Sequence, residues 1–228
     1  MKNVLRMKPG EKVRISCSSN EDFACTVMEL DDSFVLLHVD SREISDIELP
    51  VEITLYQGLP KGDKMELIIQ KAVELGVSRI VPVSMKHCVM KLDPKKAPAK
   101  VKRWNAISES AAKQSKRMII PEVTLPLTYK NALAEAKDMD YKLLPYENEA
   151  GMEGVRKAFS QMASEVFSDR SVNKKAAIFI GPEGGFDEAE VELAKACGFS
   201  SISLGRRILR TETAGLATLA MLVYVLEA

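Results

Sequence analysis

The sequence of 228 residues predicts an α/β protein in which a small β-rich domain, residues 1–50, precedes a larger domain, residues 51–228. Before residue 50, short runs rich in β-branched residues are separated by turn-forming clusters such as Asp31-Asp32-Ser33, which is typical of a small antiparallel sheet or barrel. After residue 50, apolar strand-like runs alternate with helical patterns. That alternation is typical of a parallel sheet covered by helices on both faces.

The elements of the larger domain follow one another in order. Strands are predicted for VEITLYQG (51–58), RIVPV (79–83), IIPEV (119–123), YKLLPY (141–146), AAIFI (176–180) and SISL (201–204). Helices are predicted at residues 61–76, 97–117, 128–137, 151–167, 187–198 and 213–227. The first helix is amphipathic because its apolar residues recur every three or four positions. Gly76 and Gly198 stand where two of these helices are expected to end.

Charge is balanced over the whole chain, with 32 Lys and Arg against 32 Asp and Glu, so the average indicates no partner. One stretch differs, because residues 86–117 contain ten basic residues and two acids, Asp93 and Glu109. A local basic excess favours a face that binds polyanions. A solvated, lysine-rich helix face is the competing explanation, and charge alone does not separate the two.

Cysteine and histidine usage argues against a metal site. The cysteines are widely spaced, at Cys17, Cys25, Cys88 and Cys197, without a C-x-x-C pair. This spacing favours a reducing compartment over a disulfide framework or a zinc site. The two histidines are His38 and His87, and His38 lies in the apolar run FVLLHV, where we expect a strand residue. A histidine-based metal centre or a Ser-His-Asp triad has almost nothing to draw on.

The ends of the sequence carry no membrane signal. The opening MKNVLRMKPGEKV is charged and lacks the apolar core of a signal peptide. The apolar C-terminal segment LATLAMLVYVLEA is too short to span a bilayer. We therefore expect a soluble, cytoplasmic protein with no membrane partner and no metal.

Three loops that follow predicted strands carry unusual residues, and ligands of parallel α/β sheets bind beyond the carboxyl ends of strands. The loops are residues 144–147 (LPYE), 181–186 (GPEGGF) and 204–213 (LGRRILRTET). The glycines of the second loop allow close approach of a ligand, yet the loop matches neither G-x-G-x-x-G nor a P-loop. The helix after it opens with acids, beginning at Asp187, which would repel a phosphate. A cofactor without phosphates fits better, and a simple strand–helix turn is the competing explanation.

The third loop and the last helix carry further signals. Arg206, Arg207 and Arg210 flank the apolar pair Ile208-Leu209. Apolar side chains beside backbone amides can hold an adenine ring, and arginines pair with phosphate or stabilise negative charge, although arginines on loops are often only surface residues. The last helix begins with small residues and continues with large apolar ones. We expect it to pack deep in the domain and across a subunit interface.

The blocks GPEGGFDEAEVELA and SLGRRILRTETAGLATLAML resemble the C-terminal signature of the SPOUT-class 16S rRNA uridine-N3 methyltransferases, the RsmE family. LPKGDKMELIIQKAVELGV and RWNAISESAAKQSKRMIIPEV also match the family pattern, in the family's order. VLRMKPGEKVRI resembles the family's N-terminal PUA-like β-barrel, an RNA-binding domain. Family members begin earlier, with an aromatic-rich strand, so we expect this barrel to lack its first strand, unless the sequence is a shortened form.

The resemblance implies a trefoil-knotted parallel sheet after the PUA-like β-barrel, a homodimer, and S-adenosyl-L-methionine as cofactor. It further implies 16S rRNA or the small ribosomal subunit as substrate, and hence a role in rRNA processing and ribosome biogenesis. Carried over to this sequence, the cofactor pocket comprises Leu144, Pro145, Gly181, Gly184, Gly185, Leu204, Gly205, Ile208, Leu209, Thr213 and Ala214.

The chemistry requires the N3 proton of uracil to leave before or during methyl transfer. We expect Arg210 to stabilise the anion that forms on the base and Glu212 to accept the proton. A carboxylate at position 212 is also favoured by the helix dipole alone. Because N3 lies on the pairing edge, the target base must be unpaired or flipped out.

RNA is expected to lie over the basic residues, through phosphate contacts. The predicted RNA-binding residues are Lys86, Lys91, Lys95, Lys96, Lys102, Arg103, Lys113, Lys116, Arg117, Arg206 and Arg207. Two alternatives stay open: a SPOUT methyltransferase that acts on another RNA such as tRNA, and a non-catalytic RNA-binding or assembly protein that retains the cofactor pocket. An enzyme with a phosphate-bearing cofactor is disfavoured because the glycine fingerprints are absent.

Overall fold

The computed structural model describes residues 6–17, 21–44, 47–147, 149, 151–169 and 173–227. The chain divides into two compact units, residues 1–48 with 116–119, and residues 49–115 with 120–228. The predicted boundary at residue 50 lies close to this division. The sequence pattern did not predict that residues 116–119 join the first unit. Residues 4 and 5 of the block VLRMKPGEKVRI lie outside the described residues.

The described part of the first unit contains a three-stranded antiparallel sheet in the order β1-β2-β3. Its strands are β1 (Lys12–Cys17), β2 (Glu21–Leu30) and β3 (Val35–Ile44). The predicted turn joins β2 to β3, where the Asp31 N–H donates to the Phe34 carbonyl at 3.0 Å. His38 lies in β3 opposite Thr26, so the expectation of a strand residue is confirmed.

The second unit contains a seven-stranded sheet in which every neighbouring pair is parallel. Its strands are β4 (Val51–Gly58), β5 (Arg79–Ser84), β6 (Glu122–Val123), β7 (Leu127–Thr128), β8 (Tyr141–Pro145), β9 (Lys174–Ile180) and β10 (Ser200–Ile202). The order is β10-β8-β9-β4-β5-β6, and β7 pairs with β5. The predicted parallel sheet is confirmed.

Helices alternate with these strands, as expected. They are α1 (Lys64–Glu74), α2 (Ala97–Gln114), α3 (Tyr129–Glu135), α4 (Glu153–Ser168), α5 (Glu188–Ala196) and α6 (Thr211–Leu226). Helix α2 ends three residues before its predicted end, because Lys116 adopts a φ of 60° and leaves the helical region. Gly76 and Gly198 follow α1 and α5 closely, as predicted. No helix within the described ranges is long and apolar enough to cross a membrane.

The sheet is buried on both faces because successive side chains of a strand point to opposite sides. In β9, Ile178 and Ile180 pack on one face and Phe179 on the other. Residues of α1, α2, α4 and α6 cover the first face, and residues of α3 and α5 cover the second. Each fully buried large apolar side chain stabilises the fold by about 1.5–3 kcal/mol. The helices on both faces follow directly from strands that are apolar throughout.

Helix α6 buries one side and exposes another. Gly215, Leu219 and Leu222 are buried against the sheet, whereas Tyr224 is 79% exposed. The predicted deep packing is confirmed for the first side. On the second side, the ring of Tyr224 is exposed at the surface of the chain.

Candidate functional site

The carboxyl ends of four strands lie side by side at one edge of the larger sheet. Ile202 at the end of β10 pairs with Pro145 at the end of β8, and Ile180 at the end of β9 pairs with Gln57 near the end of β4. The loops that leave β8, β9 and β10 therefore start at the same edge. These are the three loops that the sequence singled out.

Two of the loops are joined to β4 through a buried chain of hydrogen bonds. The side-chain amide of Gln57 donates to Thr211 Oγ1 at 2.8 Å, and the Thr211 hydroxyl donates to the carbonyl oxygen of Gly181 at 2.6 Å. Gln57 is fully buried and Thr211 is 5% exposed. Buried polar groups are costly when unpaired, so this chain fixes the start of α6 against the 181–186 loop.

Two adjoining open cavities lie between the loops and form one cleft. The first, of about 480 Å³, is lined by Pro145, Tyr146, Glu147, Ser203, Leu204, Gly205, Arg206, Arg207, Ile208, Leu209 and Ala214. The second, of about 650 Å³, is lined by Pro145, Glu147, Ile180, Gly181, Pro182, Glu183, Gly185, Phe186, Ile208, Leu209, Arg210, Thr211 and Ala214. The cavities share Pro145, Glu147, Ile208, Leu209 and Ala214.

Most of the predicted cofactor residues line this cleft. They are Pro145, Gly181, Gly185, Leu204, Gly205, Ile208, Leu209 and Ala214. The other three lie elsewhere in the unit. Leu144 is fully buried in the apolar core, because its side chain alternates away from its neighbour's in β8. Gly184 packs against His87, whose Nδ1 lies 3.1 Å from its carbonyl oxygen, and Thr213 is exposed on the first turn of α6.

Glycines at the cleft are required by close contacts. A Cβ on Gly185 would lie 2.8 Å from Glu147 Oε1, and the φ of Gly185 is +68°. A Cβ on Gly58, at the end of β4, would lie 2.7 Å from the Pro182 nitrogen. A larger residue at Gly58 would push β4 and the 181–186 loop apart, because the contact is with backbone. At Gly185 the positive φ is the obstacle, since the Glu147 carboxylate is the end of a flexible side chain that can move.

A charged network lies beside the cleft. Lys64 Nζ lies 3.1 Å from Glu183 Oε1 and 3.2 Å from Glu212 Oε2. The Lys61 N–H donates to Glu183 Oε1 at 3.0 Å. Partial burial acts to raise the pKa of Glu183, but hydrogen bonds from backbone N–H groups and Lys64 outweigh it and hold the pKa below its usual value. Hydrogen bonds to the two carboxylates raise the pKa of Lys64.

The two predicted catalytic residues take different positions. Arg210 is exposed, lines the second cavity and precedes α6 with extended backbone. Glu212 lies outside both linings, and Lys64 is the cation that faces its buried Oε2. Glu183 is the carboxylate of this network that lines the cleft, and it is not among the residues predicted from the sequence. A proline–glutamate–glycine run directly after a buried strand was the available signal.

The arginines of the third loop line the cleft without an ion-pair partner among the described residues. Arg206 and Arg207 are exposed and line the first cavity. Within the described ranges, neither they nor Arg210 form an ion pair. Three guanidinium groups therefore remain available to an anionic ligand.

The acidic start of α5 has a structural role. The Asp187 carboxylate accepts from the Ala189 N–H at 3.1 Å, and the Glu190 carboxylate accepts from the Asp187 N–H at 3.0 Å. This is a capping box, which stabilises the helix start. The Lys86 ammonium, 2.6 Å from Asp187, holds the pKa of that carboxyl below its usual range.

The predicted RNA-binding residues are exposed, apart from Arg117. Lys91, Lys95, Lys96, Lys102 and Lys116 are exposed and, in the part of the chain that the structure describes, form no ion pair. Three others are exposed and paired: Lys86 with Asp187, Arg103 with Glu66 and Lys113 with Glu109.

Arg117 has to be removed from the predicted RNA-binding set. Its side chain is 4% exposed and forms an ion pair with Glu48 inside the first unit. The same carboxylate accepts from the Met118 N–H at 2.8 Å. A guanidinium that is buried and paired in this way is shielded from a phosphate.

The described residues contain no group of three or more His, Cys, Asp or Glu side chains that could hold a metal ion. The functional groups at the cleft are instead glycine backbone, apolar side chains, carboxylates and arginines.

Comparison with known proteins places this cleft in a family. Residues 47–223 match the RNA methyltransferase domain, and the chain belongs to this family of RNA methyltransferases. Within it, the chain belongs with the proteins named ribosomal RNA small subunit methyltransferase E, so the resemblance to the RsmE family is confirmed. The relative from Bacillus subtilis is 38% identical over 227 residues, 99% of this chain and 86% of the relative. The relative from Buchnera aphidicola subsp. Schizaphis graminum is 34% identical over 230 residues, 97% of this chain and 85% of the relative.

A solved structure supports the same grouping. The crystal structure of ribosomal RNA small subunit methyltransferase E from Neisseria gonorrhoeae bound to S-adenosyl methionine has a TM-score of 0.77 to this chain. The two are 32% identical, with 96% of this chain and 85% of that chain covered.

Proposed function

We propose that this protein transfers the methyl group of S-adenosyl-L-methionine to N3 of a uridine in 16S rRNA of the small ribosomal subunit. The observation that carries the proposal is the cleft between the loops after β8, β9 and β10, in a chain of the RsmE family. A relative of 32% identity was crystallised with that cofactor. Because ribosomal RNA is the substrate, a cytoplasmic place of action is part of the proposal.

The residues of the cleft fit the cofactor. Leu204, Ile208 and Leu209 offer apolar surface for the adenine ring, and glycine backbone at Gly181 and Gly185 allows close approach. When bound, the cofactor supplies a methyl group already activated by a sulfonium.

The chain's own residues prepare the base. Arg210 lies at the cleft and stabilises the anion that forms when the uracil ring loses its N3 proton. Glu212 is the proposed proton acceptor. Because Lys64 holds its carboxylate outside the cavity linings, Glu212 reaches the base only after its side chain turns or through a water molecule.

RNA binding is assigned to the exposed basic residues, without Arg117. Lys86, Lys91, Lys95, Lys96, Lys102, Arg103, Lys113, Lys116, Arg206 and Arg207 are the proposed contacts. Contacts of this type are to phosphate and position the RNA, whereas the base is chosen in the cleft. An unpaired or flipped uridine can present N3 to the cleft.

A homodimer and a trefoil knot are further parts of the proposal. The exposed side of α6 carries Tyr224, 79% exposed, and the neighbouring loop carries Ile208, 86% exposed. Large apolar side chains this exposed favour contact with a second copy of the chain. The knot is inferred from the resemblance to SPOUT proteins.

The test is methyl transfer from labelled S-adenosyl-L-methionine to 16S rRNA, small-subunit particles and tRNA. We expect transfer to 16S rRNA or to the particles, and a block to reverse transcription at the modified base, because a methyl group on N3 occupies the pairing edge. Transfer to tRNA alone would favour a different RNA substrate. Cofactor binding without transfer to any RNA would favour a non-catalytic assembly protein.

A further inference from the structure

Glu147 is a carboxylate of the cleft that lacks a counter-ion. It follows β8 directly and lines both adjoining cavities. Within the described ranges, its side chain forms no hydrogen bond and no ion pair. The other carboxylate of the linings, Glu183, is bound by the Lys61 N–H and by Lys64. Glu147 thus supplies the uncompensated negative charge of the cleft.

The turn at Gly185 makes room for this carboxylate. A Cβ at Gly185 would lie 2.8 Å from Glu147 Oε1 and 3.3 Å from Oε2. The glycine adopts a φ of +68°, a conformation that L side chains rarely take. The carboxylate therefore lies against the backbone of the 181–186 loop, where the two cavities meet, although the residue remains exposed to solvent.

The distribution of charge in the cleft suggests which ligand group meets Glu147. Arg206, Arg207 and Arg210 line the cleft, yet none of them pairs with Glu147. A ligand that covers Glu147 excludes water and strengthens its attraction to a cation. Directly beside Glu147 an anionic group would be repelled, whereas the three arginines attract one elsewhere in the cleft, so Glu147 itself favours a positively charged group of the ligand.

We propose that Glu147 binds the positively charged methionine end of S-adenosyl-L-methionine and thereby selects the charged methyl donor. This inference rests on the proposed function and assigns the preference for the charged methyl donor to Glu147. The end in question carries two positive groups, the sulfonium and the α-ammonium, and one α-carboxylate. Either positive group can pair with Glu147, and the arginines of the cleft linings can meet the α-carboxylate. The nucleoside end is neutral and lies against apolar side chains.

The experiment is isothermal titration calorimetry with three ligands on the full chain. S-Adenosyl-L-methionine carries both positive groups, S-adenosylhomocysteine keeps the α-ammonium and the α-carboxylate but has no sulfonium, and methylthioadenosine has none of these charged groups. The variant is Glu147→Gln, which keeps the shape and removes the charge. The matched control is Glu153→Gln, an exposed acid on the first turn of α4 that lies outside both cavity linings.

We expect Glu147→Gln to weaken the binding of S-adenosyl-L-methionine about tenfold, because a hydrogen-bonded charge partner is lost. The affinity for methylthioadenosine should not change. Unchanged binding of S-adenosylhomocysteine would identify the sulfonium as the partner, and an equal loss would identify the ammonium. Raising the salt concentration should reduce the difference in affinity for S-adenosyl-L-methionine between wild type and Glu147→Gln. Glu153→Gln should bind all three ligands as the wild type does.

Two results would overturn the inference. One is unchanged affinity of Glu147→Gln for S-adenosyl-L-methionine, and the other is an equal loss for methylthioadenosine, which would indicate a general change in the cleft. A wild-type chain that binds none of the three ligands would instead contradict the proposed function.

Discussion

The hydroxyl of Thr211 donates to the carbonyl oxygen of Gly181 at 2.6 Å and accepts from the side-chain amide of Gln57 at 2.8 Å. One buried side chain therefore joins the start of α6, the loop after β9 and the end of β4. Of these elements, the start of α6 and the loop after β9 line the cleft.

Replacing Thr211 by Val should loosen this junction, because the variant keeps the shape and leaves two buried polar groups without their partner. We expect the free energy of unfolding to fall by about 1–3 kcal/mol. Urea unfolding measures the loss, and cofactor titration should show weaker binding at the same time. Thr211→Ser retains the hydroxyl and serves as the control. Unchanged stability and affinity in the Val variant would show that the junction is unimportant.

Lys64 should stabilise the fold by an amount that depends on pH. The pKa of Glu183 lies below its usual value in the folded chain, so this contribution is present at neutral pH and is lost as the pH falls below about 4.5. The pKa of Lys64 is raised, so its contribution to stability is lost on the alkaline side only above pH 10.5. We expect the difference in unfolding free energy between wild type and Lys64→Met to be constant near neutrality and to shrink in acid.

Lys71→Met is the matched control for Lys64. Lys71 lies on the same helix and forms an i,i+3 pair with Glu74 at the surface. Such pairs contribute about 0–1 kcal/mol. If the two variants show the same pH profile, the Lys64 network contributes nothing beyond an ordinary surface pair.

Arg210→Ala should lower turnover by about 10²–10³-fold, the size found for removal of a group that stabilises transition-state charge. The side chain makes no capping hydrogen bond to α6, so its loss should leave the fold intact. Single-turnover methyl transfer at saturating cofactor measures the effect. Arg210→Lys keeps the charge and loses the planar donor group. Its turnover should lie between that of the wild type and that of Arg210→Ala. Full turnover in the Ala variant would exclude Arg210 from the chemistry.

Lys91 and Lys102 should contact RNA phosphates. Each substitution by Ala should reduce the slope of log affinity against log salt by about 0.7 for single-stranded RNA. Filter binding over a salt series measures this slope. Lys195→Ala, which lies on α5 and pairs with Glu192, is the control. A slope that stays the same in both variants would remove these lysines from the RNA surface.

The sequence predicted the sheet well where apolar residues run without interruption. In β4 and β9 nearly every residue is buried, and a run of this kind leaves little choice but a strand covered on both faces. The ends of helices were predicted less well. Helix α6 begins at Thr211 and not at Thr213, because Arg210 keeps extended backbone and precedes the first turn.

The site was predicted in part, for a physical reason. Loops after parallel strands converge at one edge whatever their details, so residues 181–186 and 204–213 could be selected from the sequence. Gln57 and Lys64 could not, because they meet Thr211 and Glu212 about 150 positions away only once the chain has folded. The signal available was the polar Gln57 directly after the apolar pair Leu55-Tyr56 in β4. Arg117 likewise meets its partner Glu48, which is distant in the sequence, only in the folded chain.

The most direct test is a crystal structure of the protein grown with saturating S-adenosylhomocysteine. The account predicts one ligand per chain in the cleft, with its adenine ring against Leu204, Ile208 and Leu209 and its amino-acid end near Glu147. A ligand bound elsewhere on the chain, or a cleft without density at saturating concentration, would contradict it.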